Sequence, residues 1–335
     1  MIRHYNIPIF IPELACPFQC IYCDQRKITG QSHFVNEQEI ISTIDRFLET
    51  IPNTERSIQL AFFGGTFTGL SIENQKLYLK LVQPYIASGQ INGIRISTRP
   101  DYITEEILSL LKEYNVTNIE LGAQSLVDSV LEKVHRGHTY NDVKIASEMI
   151  INRGFILGLQ MMLGLPGDNF ELSKITAQKI IDLKAQETRI YPTLVIKGTA
   201  LELLLNKGKY TAMTNKDAVE QSAELFLQFQ KNNVKVIRIG LYPSDDLLSE
   251  EVVAGPNMRH FKEKVMTHIW RNKLTQIVNV SNNNSDVIIY VPKSQINSAN
   301  GFKATNKLFL QKHFKRVKFK VDIELQNFEY YANYS

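Results

Sequence analysis

The chain has 335 residues, 44% of them hydrophobic, with 38 Lys+Arg against 34 Asp+Glu and a formal net charge of +4. That length suits one large domain, or one with a small appendage, and the apolar fraction is ample for a core. No apolar run approaches the ~18 residues of a membrane span, and Met1-Ile2-Arg3-His4-Tyr5-Asn6 lacks a signal-peptide core, so no membrane association and a cytoplasmic location are expected.

Ile7 to Ile11 reads as a strand, with Pro8 suited to its first residues or to an edge because it removes a ladder donor. It leads into Cys16-Pro17-Phe18-Gln19-Cys20-Ile21-Tyr22-Cys23, which holds all 3 cysteines of the chain. Three thiols on one short loop suggest a metal site, and a 4Fe–4S cube normally takes four cysteine ligands. With no fourth cysteine, one iron of such a cube is left for a ligand that is not protein. Structural zinc is one alternative, but it usually closes with a fourth Cys or a His, and only His4 lies between Met1 and His33; incidental thiols are the other, against which all three fall within eight residues. Thiols poised for metal imply a reducing compartment.

Glu37 to Leu48 has helical spacing, Ile58 to Phe63 is a strand stopped by Gly64-Gly65, and Leu77 to Val82 is again helical. Gly93 to Ser97 is a strand, after which Thr104 offers an N-cap to a helix from Glu105 to Tyr114. Val116 to Leu121 is a strand, Val127, Val130, Leu131 and Val134 make a helical stripe closed by Gly137, and Asp142 to Arg153 is helical. Phe155 to Met161 is a strand, Ile175 to Leu183 a helix and Thr188 to Pro192 a strand. Such β-α repetition calls for a parallel sheet with covered faces. Six units point to a barrel or partial barrel, with its working groups in the loops after the strands. A doubly wound open sheet is the alternative, and periodicity alone does not separate the two.

Past Tyr242-Pro243-Ser244-Asp245-Asp246 the pattern changes, so a core of residues 1–245 and a basic α+β appendage of 246–335 are expected. The appendage reads as a helix from Phe261 to Trp270 and two strands, Gln276 to Val280 and Val287 to Val291, around the turn 281–285. A turn at Gly301, a helix to about Phe314 and a strand from Arg316 to Ile323 follow. Lys303, Lys307, Lys312, Lys315, Arg316, Lys318 and Lys320 fall within eighteen residues. Strand, turn, helix and strand with basic flanks has the outline of a KH-type RNA module, though without its GxxG clamp. A solvated helix face is the rival explanation.

The cysteine loop, with Tyr22 before the last cysteine, resembles the signature of the radical S-adenosylmethionine (radical SAM) superfamily, and separated motifs extend the resemblance over roughly the first 245 residues. It implies an α/β fold, a partial (β/α)6 TIM-like barrel. It also implies a 4Fe–4S cluster on Cys16, Cys20 and Cys23 with SAM on the open iron. One electron, from a flavodoxin- or ferredoxin-type donor, then cleaves SAM to methionine and a 5′-deoxyadenosyl radical.

Residue by residue, Gly64, Gly65 and Thr66 match the glycine loop whose backbone holds the SAM amino group. Ser97 stands where relatives usually carry a Glu that accepts from SAM, and Gln124 of Gly122-Ala123-Gln124-Ser125 matches a Gln that reaches it. Arg136 matches an Arg on the SAM carboxylate, a group its planar donors suit. Gln160 stands where coproporphyrinogen oxidase-like proteins place a ribose-binding Asp. His135 and His138 flank Arg136, and loop histidines are more often surface or packing residues. Arg99 and Asp101 admit a plain loop ion pair.

The runs Thr98-Arg99-Pro100-Asp101 and Tyr191-Pro192-Thr193-Leu194-Val195-Ile196 resemble the catalytic subunit of Elongator. The resemblance therefore implies a radical reaction on a tRNA base, with tRNA as partner. The rivals are an oxidase- or decarboxylase-like enzyme acting on a small molecule such as a porphyrin, and a non-catalytic SAM- or haem-binding relative. Cysteines for a second cluster or for carrying a methyl group are missing, and no acetyl-CoA pyrophosphate loop follows Lys197.

Overall fold

The computed structural model describes residues 3–11, 20–29, 35–241, 250–280 and 285–335; Cys16, the run 242–246 and most of the turn 281–285 lie outside them. Its main sheet is wholly parallel, in the order β1 (Arg3–Ile11), β2 (Arg56–Gly64), β3 (Gly93–Thr98), β4 (Val116–Gln124), β5 (Ile156–Leu163), β6 (Glu187–Pro192), then β8 (Lys235–Ile239). The short β7 (Val195–Ile196) pairs antiparallel with β9 (Val252–Ala254).

Strand order follows chain order without a reversal, so there is no switch point of the doubly wound kind. Right-handed crossovers then carry every connecting helix to one face of the sheet. This is the expected partial barrel, open between its edge strands β1 and β8. Alternate strand residues such as Ile7, Leu60, Phe62, Ile96, Leu121, Leu159 and Ile190 are fully buried. Helices Glu37–Thr50, Glu105–Glu113, Tyr140–Asn152 and Phe170–Asp182 cover that face. Each such side chain contributes about 1.5–3 kcal/mol. The other face carries Gln59, Arg95, Glu120, Gln160 and Arg189, which makes the inside of the partial barrel polar.

Thr104 caps its helix by accepting from Ile107 N at 3.2 Å, as expected. The helix Asn215–Lys231 and strand β8 were not expected from the sequence pattern. The chain divides into two compact units, residues 1–213 with 228–256, and residues 214–227 with 257–335.

In the second unit β10 (Asp286–Val291) is the centre of a three-stranded sheet, parallel to β11 (Arg316–Val321) and antiparallel to β12 (Tyr331–Tyr334). The expected strand Gln276 to Val280 is instead the last part of a helix, Phe261–Val280. Its buried Leu274 and Ile277 continue the spacing of Val265, Ile269 and Trp270, so a continuous helical stripe outweighs the local β-branched run. Among the described residues no helix is long and apolar enough to cross a membrane.

Candidate functional site

Residues 20–23 form a turn in which Cys23 N donates to Cys20 O at 3.1 Å. Two backbone bonds fix it: Ile21 N donates to Val134 O at 3.3 Å, and Leu201 N donates to Ile21 O at 2.8 Å. Cys20, Ile21 and Tyr22 are buried with Val130, Val134, Leu165, Val195 and Leu201, and Cys23 packs against that cluster. Burial pushes the Tyr22 phenol well above the ordinary tyrosine range. Lys27 ties the exit of the turn down, donating to Lys197 O at 2.9 Å and to Glu251 Oε2 at 2.5 Å. Among the described residues, which exclude Cys16, no three His, Cys, Asp or Glu side chains gather as a metal group.

The remaining expected residues sit at or after the ends of consecutive strands, except Gln160, which lies within β5. Gly64 ends β2 at φ 102°, and a Cβ there would lie 2.4 Å from Ile11 O. Only glycine lets β2 close this tightly on β1, and Gly65 N donates to the same carbonyl at 3.0 Å. Thr66 is buried beside them. Ser97 lies in register with Glu120, and its Oγ is buried with no hydrogen-bond partner among the described residues.

Gln124 ends β4 at φ 64°, a left-handed conformation that costs a non-glycine residue about 1 kcal/mol or more. Its Oε1 is likewise buried without a partner among the described residues. Arg136 reaches across from the loop after the helix Asp128–Lys133. Its Nη2 and Nε donate to Gly122 O at 2.7 and 3.3 Å, and Nη1 lies 3.5 Å from Cys20 Sγ. A Cβ on Gly122 would meet Arg136 Nη2 at 2.8 Å and Gln124 Nε2 at 3.0 Å. Glycine at 122 is therefore what lets Arg136 and Gln124 converge beside the cysteine turn.

Gln160 points its Nε2 at Glu120 Oε2, 3.5 Å away. Arg99 and Asp101 form the plain bidentate pair, at 2.9 and 2.8 Å. His135 is exposed, whereas His138 is buried and donates from Nε2 to Ala123 O at 3.3 Å. Burial, aided by the Arg136 and Arg99 cations, pushes its imidazole down to about 3, which favours the neutral ring at ordinary pH.

Sequence reasoning missed the charged network inside the partial barrel. Arg189 grips Glu120 through Nε and Nη2, at 2.5 and 2.9 Å. Arg95 Nη1 donates to both Glu120 Oε1 and Glu187 Oε2, at 2.8 and 2.6 Å. Asn118 also donates to Glu187, and Arg189 reaches Tyr191 OH at 3.2 Å. Burial alone would raise the Glu120 carboxyl, but Arg189 and Arg95 outweigh it and hold it below the usual range. Gly158 leaves the room: a Cβ there would lie 2.9 Å from Glu120 Cγ. The signal was present as charged residues alternating with apolar ones in Ile94-Arg95-Ile96, Ile119-Glu120-Leu121 and Glu187-Thr188-Arg189-Ile190.

Ser97 and Gln124 carry buried oxygens with no partner among the described residues, and beside Gln124 a guanidinium lies next to a cysteine sulfur over glycine-only backbone. That donor set fits a polar small molecule next to a thiolate-bound metal.

A family profile described as the radical SAM superfamily matches residues 11–177, and one described as the radical SAM C-terminal domain matches residues 185–271. The chain is similar to a tRNA uridine(34) acetyltransferase of Methanocaldococcus jannaschii, 29% identical over 193 residues, covering 52% of this chain and 36% of that protein. It is 29% identical over 220 residues to the heme chaperone HemW of Bacillus subtilis, covering 63% of this chain and 55% of that one. The chain thus spans about a third and about half of these relatives' lengths. Among solved structures it resembles an N-terminally truncated Elp3 of Methanocaldococcus infernus. There the TM-score is 0.65 at 22% identity, over 82% of this chain and 64% of that one, a likeness of fold.

Proposed function

The chain belongs to the radical SAM superfamily, whose cofactors are a 4Fe–4S cluster and SAM, and on that premise we propose that it modifies a base of tRNA by radical chemistry. When bound, the cluster and SAM supply reductive cleavage of the sulfonium to methionine and a 5′-deoxyadenosyl radical. Cys16, Cys20 and Cys23 would hold the cluster, with Tyr22 and the apolar side chains around the turn excluding water from it. Gly64, Gly65 and Thr66 would offer backbone groups to the SAM amine, and Arg136 would offer the carboxylate the Nη N–H groups that Gly122 O does not engage. Ser97 and Gln124 bring buried oxygens that lack partners among the described residues, and Gln160 would reach the ribose. Glu120 orients Gln160 and cannot act as a free base, because two arginines occupy its oxygens. A flavodoxin- or ferredoxin-type protein would deliver the electron, in the reducing cytoplasm that free thiols favour.

The observation that carries the tRNA assignment is the likeness to a relative named for tRNA uridine. The test is anaerobic reconstitution with SAM and total tRNA, following 5′-deoxyadenosine and altered nucleosides by mass spectrometry. Both should rise together, and a Cys20→Ala variant should lose the cluster absorbance and both products. The likeness to HemW favours a second reading, action on or carriage of a porphyrin. Haem binding together with tRNA left unaltered would replace the first reading by the second.

A further inference from the structure

The small sheet of the second unit has a face that the cofactor site does not use. Val287, Ile289 and Val291 of β10 are buried, so their neighbours Asp286, Ile288 and Tyr290 look the other way. On that side Arg316, Lys318 and Lys320 of β11 stand in register with Asp286, Ile288 and Tyr290. On β12, Asn333 stands opposite Ile288 and Tyr331 opposite Tyr290. Lys318, Lys320, Asn333 and Tyr331 are exposed, Tyr331 by 41%.

The rings of Tyr290 and Tyr331 stack with centroids 4.6 Å apart and planes 11° apart. Lys320 Nζ lies 5.9 Å from the Tyr290 centroid, so cation, ring and ring form one row across the three strands. Tyr331 OH donates to Asp322 Oδ2 at 2.9 Å, which ties the outer ring to the residue that follows β11. Because β12 is an edge strand, the second face of Tyr331 looks past the sheet, and it meets no other ring among the described residues. Arg316 is exposed but engaged by Asp286, its Nε 2.6 Å from Oδ2, whereas Lys318 and Lys320 stand exposed beside it on the same face.

We propose that this face binds a single-stranded segment of RNA, a base stacking on the open side of Tyr331 and phosphates meeting Lys318 and Lys320. Only an unpaired base presents its π-face to an exposed ring, and lysines beside such a ring complement the backbone charge. An acidic protein segment would use the lysines and leave the ring row unused. For its natural ligand the inference rests on the tRNA reading above, while the sheet geometry stands apart from it.

The test is fluorescence anisotropy of the full chain with labelled oligo-uridine of about 12 nucleotides, and with a duplex RNA of equal length, over a range of salt. Oligo-uridine should bind more tightly than the duplex. Tyr331→Ala should weaken it about 5- to 150-fold, which is ~1–3 kcal/mol per stacked base, while Tyr331→Phe, which keeps the ring and loses only the bond to Asp322, should retain most of the binding. Lys318→Ser with Lys320→Ser should lower the slope of log affinity against log salt by about 1.4, two phosphate contacts on a single strand. Equal binding of the duplex, indifference to Tyr331→Ala, or no binding of oligo-uridine at low salt would overturn the proposal. Tyr331-dependent binding with tRNA left chemically unaltered keeps this face and removes the tRNA reaction. Altered nucleosides without oligo-uridine binding do the reverse.

Discussion

Along β3, β4 and β6 the charged residues Arg95, Glu120, Glu187 and Arg189 alternate with apolar ones, and along β11 Arg316, Lys318 and Lys320 alternate with Val317 and Phe319. The inward set is buried, and every member is bound to an opposite charge within the partial barrel. The outward set stands in solvent, where a lone ion pair such as Arg316–Asp286 contributes little to stability. The same period-2 pattern therefore carries a large structural stake where the face is enclosed and almost none where it is open. What the open face retains is long-range charge, which matters for partners rather than for folding.

The sharpest way to break that contrast is to remove one member of the inward set. Arg189→Leu leaves Glu120 buried against Arg95 alone and should cost about 3–5 kcal/mol in urea unfolding. Pairing it with Glu120→Leu leaves the Arg95–Glu187 pair intact and should restore part of the loss. A double variant as damaged as the two single losses added would mean that the residues do not act as a pair.

Smaller, and at the mouth of the barrel, Gly64→Ala should cost about 1–3 kcal/mol because the new Cβ meets Ile11 O and the backbone is left-handed. An unchanged unfolding midpoint would show that β1 shifts freely.

His138 gives a pH test of the same buried region. Its folded value of about 3 lies below an unfolded value near 6.5, so the unfolded chain takes up the proton first as pH falls. The stability it contributes is complete above about pH 6.5 and is lost progressively towards pH 3, by up to about 2 kcal/mol at pH 5. His138→Gln should flatten the slope of stability between pH 6.5 and 5; a slope that persists would assign the dependence to other groups.

The smallest effect belongs to the open face. Lys318→Ser with Lys320→Ser should leave unfolding within about 0.5 kcal/mol of the parent, and a larger loss would mean that these lysines support the sheet.

Local signals in the chain were enough for much of this. All three thiols fall on one loop, Thr104 precedes a helical stripe, and two glycines stop the second strand, so cofactor class, element types and the alternation of strand and helix could be read directly. Such features depend on neighbours a few residues apart, which is the range over which capping, turns and periodicity act. The appendage helix shows where that range fails: Gln276 to Val280 looks β-like in isolation, but burial of Leu274 and Ile277 with Trp270 decides for helix.

Other features belong to tertiary structure alone. A partial barrel and a doubly wound sheet share the same strand–helix pattern and differ only in which strands become neighbours. The meeting of Arg136 with Cys20 spans 116 positions and depends on Gly122 lacking a side chain. Of the seven cations crowded into residues 303–320, only pairing with β10 selects Arg316, Lys318 and Lys320 to stand on one open face with Tyr290 and Tyr331. Register across strands is set by which face the core buries, and that is a property of the folded sheet rather than of any one segment.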